Sequence, residues 1–226
     1  MALTREHLES GYIRKVFSAR PGGPRCLSDD EHRSSIDRLL ADHCPECDIW
    51  VFGYGSLVWN PLFHFEERRA ATLRGYHRRF CLWSTLGRGT PDNPGLVLGL
   101  ERGGVCRGVV FRIPRSRAGE ELLLLWRREM VVGSYRPCWM TVRDSAGRHI
   151  RAIAFVVRRD HPTYAGRLPV DRVASAMATA AGAIGPCADY LRRTVEGLAE
   201  HGIRDTHLIE VHRRVFGTSP PRNDLA

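Results

Sequence analysis

Apolar positions cluster in two rhythms along this chain. Between residues 49 and 157 they come in short blocks or alternate with polar residues, the period of a half-buried strand. Such blocks are Ile49–Gly53, Ala71–Leu73, Arg79–Trp83, Gly95–Leu100, Val105–Ile113, Cys138–Arg143 and Ile150–Val157. Gly, Pro, Asp and Asn separate them, the residues that punctuate turns. Asp144-Ser145-Ala146-Gly147 joins the last two blocks as a hairpin turn. One helical stretch, Arg117–Met130, interrupts the series with Leu122, Leu123, Leu124, Leu125 and Trp126. After residue 157 the rhythm becomes helical, with segments at about 169–182, 186–201 and 205–216.

Strands first, helices later and one helix inserted predict an α+β domain on a small, closed or strongly curved sheet. The first 48 residues read as an N-terminal extension. Pro21-Gly22-Gly23-Pro24 forms a loop, Ser28 and Glu31 form a capping box, and Ile36, Leu39 and Leu40 supply a helical stripe that ends by Pro45. The division is thus 1–48, a domain at 49–217 and a tail at 218–226.

A hydrophobic share of 43% and a charged share of 26% are those of an ordinary globular protein. No run approaches the ~18 apolar residues of a membrane span, and charges throughout MALTREHLESGYIRKVF argue against a signal peptide. The expected compartment is the cytoplasm, with no membrane partner. A net charge of +9 raises a nucleic-acid reading. The basic residues are scattered, though, with Lys15 the only lysine, so solvated faces are the expectation and no nucleic-acid partner is predicted. A positive surface would still favour an anionic small substrate.

Seven cysteines and no secretion signal argue against a disulfide framework. Cys44-Pro45-Glu46-Cys47 has metal or redox spacing, yet no second close pair follows, and the motif precedes a strand where a thioredoxin-like motif would follow one and open a helix. Neither zinc nor redox chemistry is therefore expected there. His207 and His212, five apart, read as surface residues of a helix. Cys81, Cys106 and Cys138 read as small core residues, and Trp83 and Trp139 as core residues or pocket walls. No metal and no cofactor is expected.

Two segments carry candidate chemistry. In Trp50-Val51-Phe52-Gly53-Tyr54-Gly55-Ser56-Leu57 a strand runs into two glycines, where backbone approaches something closely and can offer amides to an anion or oxyanion. A plain tight turn accounts for the same spacing. In Arg127-Arg128-Glu129-Met130 a lone carboxylate ends an apolar helix. It is either a surface Glu paired with Arg or, if buried in a cleft, a base with a raised pKa.

Together these segments resemble one family. The order Val51–Leu57, Arg78-Arg79-Phe80, Ser84, Arg88-Gly89-Thr90, Pro94-Gly95, Gly108–Arg112 and Arg128-Glu129-Met130 is similar to the ChaC-type glutathione-specific γ-glutamylcyclotransferases, as are Tyr164–Pro169 and Asp189-Tyr190-Leu191. The resemblance spans about residues 49–216. It implies a small mixed β-barrel with flanking helices, glutathione as substrate and 5-oxoproline as product. Residue by residue it implies Glu129 as proton acceptor, Val51, Phe52, Gly53, Tyr54, Gly55 and Ser56 lining the γ-glutamyl site, and Tyr164 near the same pocket. The α-amine of a γ-glutamyl group can attack its own side-chain amide, so no Ser or Cys nucleophile is required. A related cyclotransferase acting on other γ-glutamyl amines or amino acids, and a non-catalytic ligand- or RNA-binding protein, are the alternatives.

Overall fold

In the computed structural model, residues 3–19 and 23–218 are described; Pro21, Gly22 and the tail beyond Thr218 lie outside them. Five strands close a mixed barrel in the order β1-β3-β2-β4-β5, with β1 at Ile49–Gly53, β2 at Glu67–Ser84, β3 at Gly95–Ile113, β4 at Tyr135–Asp144 and β5 at His149–Val157. Neighbours in that order are antiparallel; β5 pairs parallel with β1 (Trp50 with Ala152, Val51 with Ile153), which closes the barrel, and with β3 at Leu100 and Val156. Closure leaves β1 no solvent side, so Val51 and Phe52 are both fully buried.

Four of the strand blocks read from the sequence merge into two long strands, β2 and β3, paired almost end to end. The glycines taken as breaks are bends within strands. Gly75 sits at φ +80°, where the register of the β2–β3 ladder shifts between Arg74 and Tyr76. The predicted hairpin is present: Gly147 N–H donates to the Asp144 carbonyl at 3.0 Å, with Gly147 at φ +82°.

The inserted helix is α5, Ala118–Glu129, and it is apolar almost all round because it is covered on two sides. Leu122, Leu125 and Trp126 pack in the barrel core, whereas Leu124 joins Leu8, Ile13 and Val131 in a separate cluster. Leu8 and Ile13 come from two short helices that the sequence pattern did not reveal, α1 at Arg5–Glu9 and α2 at Tyr12–Ser18. A third helix, α3 at Asp29–Leu40, starts at the predicted Ser28/Glu31 capping box. It lies against Trp126, whose indole N–H donates to Ser35 Oγ (3.1 Å), and Trp139, whose indole N–H donates to the Leu39 carbonyl (2.8 Å). The remaining helices are α4 (Ser56–Trp59), α6 (Val170–Thr179), α7 (Cys187–Ala199) and α8 (Thr206–Phe216).

The readings of three single residues change: His207 is half-buried, its ring 6.3 Å from that of Phe80. His212 is buried, 7% exposed, with its ring against Phe216, because α8 packs inward along the face that carries it. Cys138 is half-buried, unlike the enclosed Cys81 and Cys106. Many basic residues are spent internally: Arg69, Arg78, Arg79, Arg112 and Arg127 all hold carboxylates.

Arg5 of α1 reaches the Glu121 carboxylate at 2.7 and 3.1 Å, and that carboxylate also accepts from the His64 amide at 3.0 Å. The Glu121 side chain has no solvent exposure and that of Arg5 only 24%. Arg5→Met leaves a buried charge short of its counter-ion, a loss of ~3–5 kcal/mol for a fully buried pair. With Arg5 partly wet we expect about 2 kcal/mol and a melting temperature lower by ~4–8 °C, measured by thermal denaturation beside the unsubstituted protein.

Candidate active site

Glu129 is the last residue of α5, so its carboxylate sits at the negative end of the helix dipole. Its side chain is 14% exposed and opens onto two adjoining cavities of about 200 and 30 Å³. Ser56, Tyr135 and Tyr190 line both. Burial raises the Glu129 pKa above the ordinary carboxylate value, and the Arg128 guanidinium, whose Nε lies 3.1 Å from Glu129 Oε1, opposes that rise. A carboxylate so held takes up a proton more readily than an exposed one.

Three tyrosines surround it. The Tyr54 hydroxyl donates to the Phe155 carbonyl (2.6 Å), the Tyr135 hydroxyl donates to the Leu98 carbonyl (2.7 Å), and the Tyr190 hydroxyl accepts from the Leu98 amide (3.3 Å). Burial, followed by the nearby charges, holds the Tyr54 and Tyr135 pKa values well above normal, and burial raises that of Tyr190. All three therefore hold their protons more tightly than a solvated tyrosine does.

The loop after β1 is clamped from behind. Arg78, buried in β2, donates to the Tyr54 carbonyl at 2.6 Å and to the Arg107 carbonyl, and its Nε lies 2.9 Å from the Asp205 carboxylate that caps α8. The two glycines do different work. A side chain at Gly53 would meet Leu57 at 3.0 Å and the Phe111 ring at 3.1 Å, so that glycine serves core packing. A side chain at Gly55 would meet the Tyr190 hydroxyl at 3.1 Å, inside the smaller cavity. Among the described residues, the amides of Gly55 and Ser56 donate to no protein acceptor.

Of the residues singled out in the sequence, the structure therefore brings Tyr54, Gly55, Ser56 and Glu129 together. Val51, Phe52 and Gly53 line neither cavity; they are the barrel strand that carries the loop. Tyr164 also lies outside both linings. Its segment leaves a turn and bridges β2, with the Trp83 amide donating to the Thr163 carbonyl and the Ala165 amide to the Cys81 carbonyl. Thr163 lines the larger cavity, while the Tyr164 hydroxyl donates to buried Glu101 at 2.5 Å. Trp83 walls the larger cavity, and Trp139 packs under the end of α3.

Sequence reasoning passed over Arg88, Arg128, Tyr135 and Tyr190 as site residues. Arg128 looked like half of a surface Arg pair, yet its side chain is 7% exposed and donates to the carbonyls of Asn60 and Pro61, tying α5 to the end of α4. Arg88 stacks over the Tyr190 ring at 5.6 Å and donates to the Pro186 carbonyl at 3.2 Å. The cavity thus carries two guanidiniums against one carboxylate, a match for an anionic ligand.

Comparison with known proteins fits this geometry. The sequence profile of the ChaC-like protein family matches residues 49–217, the barrel and its helices. The chain belongs to the ChaC-like family. It is 40% identical over 206 residues to the glutathione-specific gamma-glutamylcyclotransferase of Escherichia coli K12, covering 91% of this chain and 89% of that one. It is 32% identical over 203 residues to the human glutathione-specific gamma-glutamylcyclotransferase 1, covering 87% and 90%. Among solved structures, the yeast γ-glutamyl cyclotransferase specific to glutathione superposes with a TM-score of 0.70 at 26% identity, over 74% of this chain and 95% of that one. The ChaC-like barrel and its flanking helices are thus the fold seen here.

Proposed function

We propose that this ChaC-like protein cleaves glutathione to 5-oxoproline and Cys-Gly, with Glu129 as the single general acid/base. The observation that carries this reading is the buried Glu129 carboxylate, its pKa raised, facing the Tyr54–Ser56 loop in a chain 40% identical to a glutathione-specific cyclotransferase. Glu129 takes a proton from the substrate α-ammonium, freeing its lone pair. The amine attacks the side-chain amide carbon, the new C–N bond closes a five-membered ring, and the old amide bond breaks. Glu129 returns the proton to the departing cysteinyl nitrogen, and the new ring nitrogen gives up its second proton as the released amine takes one up, leaving the neutral lactam and the ammonium of Cys-Gly. Holding the amine against its own carbonyl is worth up to ~7–11 kcal/mol of barrier, and proton shuttling a further ~10²–10⁴-fold. The unclaimed amides of Gly55 and Ser56 serve as donors to the oxyanion or to the α-carboxylate.

The proposed compartment is the cytoplasm, since all seven cysteines are unpaired thiols. The test is incubation with glutathione and with γ-glutamylalanine, followed by mass spectrometry. 5-Oxoproline and Cys-Gly from glutathione, and little 5-oxoproline from γ-glutamylalanine, support the reading; no 5-oxoproline from either overturns it.

Arg88 is proposed as a carboxylate-binding residue of this substrate. Hydrogen bonds to charged groups are worth ~1.5–3 kcal/mol. Arg88→Met should therefore raise KM for glutathione ~10-fold or more while kcat changes less than ~3-fold, as loss of uniform binding does. Steady-state kinetics of the Arg88→Met variant beside the unsubstituted protein checks this, and an unchanged KM would refute it.

A further inference from the structure

Cys44-Pro45-Glu46-Cys47, between α3 and β1, takes no part in the cyclotransferase chemistry. The four residues form a turn in which the Cys47 amide donates to the Cys44 carbonyl at 3.1 Å. A turn of this kind holds the Cα atoms of its first and fourth residues within ~7 Å, which overlaps the ~4.4–6.8 Å span of a disulfide. Both side chains are exposed, whereas Cys81, Cys106 and Cys187 are enclosed.

The turn is braced from outside. His43 Nε2 lies 3.3 Å from the Cys47 carbonyl oxygen, and the His43 ring stacks on Trp139 at 5.0 Å and 18°. Arg115 donates to the Pro45 carbonyl, and its amide donates to Asp48 Oδ1 at 2.9 Å. The two sulfurs are not equivalent. A hydrogen bond from the Cys47 thiol, then one from the Glu46 amide, lowers the Cys44 pKa. Cys47 is raised, first by that shared hydrogen bond, with Asp48 and Glu46 adding to it. The sequence argument against redox chemistry rested on the missing helix; the turn brings the two cysteines together without one.

We propose that Cys44 and Cys47 are a reversible dithiol–disulfide site that exchanges with disulfides of small thiols, Cys44 attacking and Cys47 resolving. In the first step the Cys44 thiolate attacks one sulfur of the small disulfide, a mixed disulfide forms, and one thiolate leaves and is protonated. Cys47 then loses its proton and attacks the Cys44 sulfur, closing the intrachain bond and releasing the second thiol. Two electrons pass from the protein to the small disulfide, and excess small thiol reverses the sequence. With oxidised glutathione, the thiol released would be the substrate proposed above; the exchange itself does not rest on that reading.

The experiment uses the full chain and bis(2-hydroxyethyl) disulfide, which has no γ-glutamyl group, so its outcome is independent of cyclotransferase activity. Mass spectrometry of the unsubstituted protein should find two hydrogens lost and Cys44 joined to Cys47, reversed by dithiothreitol. Cys47→Ser should stop at a stable mercaptoethanol adduct on Cys44. Cys44→Ser should form its adduct on Cys47 at least ~10-fold more slowly. The double serine variant should cleave glutathione as the unsubstituted protein does, a check that these exposed positions leave the fold intact. Mixed disulfides that never close in the unsubstituted protein, equal rates for the two single variants, or faster labelling of Cys26 or Cys138 would each overturn the proposal.

Discussion

Glu129→Gln should lower turnover of glutathione by at least ~10²-fold while changing KM by less than about threefold. The glutamine keeps the length of the side chain and places its amide where the carboxylate lies 3.1 Å from Arg128 Nε in the unsubstituted protein. Only the proton-accepting function is lost. The bound α-ammonium then has no base, and the departing nitrogen has no acid. Neither can be supplied by Tyr54, Tyr135 or Tyr190, whose pKa values are all pushed upward. A pH profile gives a second readout. Activity needs Glu129 ionised, so it falls as pH drops through the Glu129 pKa. Burial raises that pKa from 4.5, which moves the ascending limb to higher pH than an exposed carboxylate would give. The substrate amine titrates on the same limb, so the apparent values belong to the pair. In the Gln variant the residual rate should follow the amine alone. A variant with full turnover would end the case for Glu129 as the shuttle.

Gly55→Val should cost ~10²-fold or more in kcat/KM, and here the fold also suffers. A Cβ at residue 55 would stand 3.1 Å from the Tyr190 hydroxyl and 3.5 Å from Leu98 Cδ1. The valine methyls go further and enter the cavity of about 30 Å³ between the loop and Glu129. Tyr190 must move, and with it the donor–acceptor pair to the Leu98 amide. Displacing reacting groups by about 1 Å is enough for a ~10²-fold loss, and overpacking of this kind costs ~1–3 kcal/mol. Gly55→Ala separates the two effects, since a lone methyl needs only a small shift of Tyr190. Activity should fall more steeply than melting temperature along the series from Gly to Ala to Val. Near-normal kinetics in the valine variant would mean that the loop is a turn and nothing more.

How far the site could be read from the chain depends on what kind of signal each residue leaves. The alternation of apolar residues marked the strands, and the run Leu122–Trp126 marked α5, because burial of side chains is written directly in local composition. Ser28 and Glu31 marked the start of α3 by the bonds that they make to each other and to the adjacent backbone. Glu129 and the Tyr54–Ser56 loop stood out because a carboxylate at the end of an apolar helix and two glycines after a strand are locally odd. These are short-range properties, and sequence carries them.

The rest depends on which distant segments meet. No local pattern tells that Gly75 bends a strand instead of ending it; the ladder of β2 on β3, which resumes beyond the register shift at Gly75, decides that. Val51 and Phe52 sit next to site residues in the chain, but closure of the barrel turns both into the core and leaves only the loop beyond them facing Glu129. Arg128 looks solvated in the sequence and becomes buried because α5 is covered by α1 and α2 on one side and meets the end of α4 at its C-terminus. Tyr135 and Tyr190 come from β4 and α7 and meet at Leu98 of β3. Burial raises the pKa of Glu129, and it is the surrounding chain, not the residue or its neighbours in sequence, that removes the water.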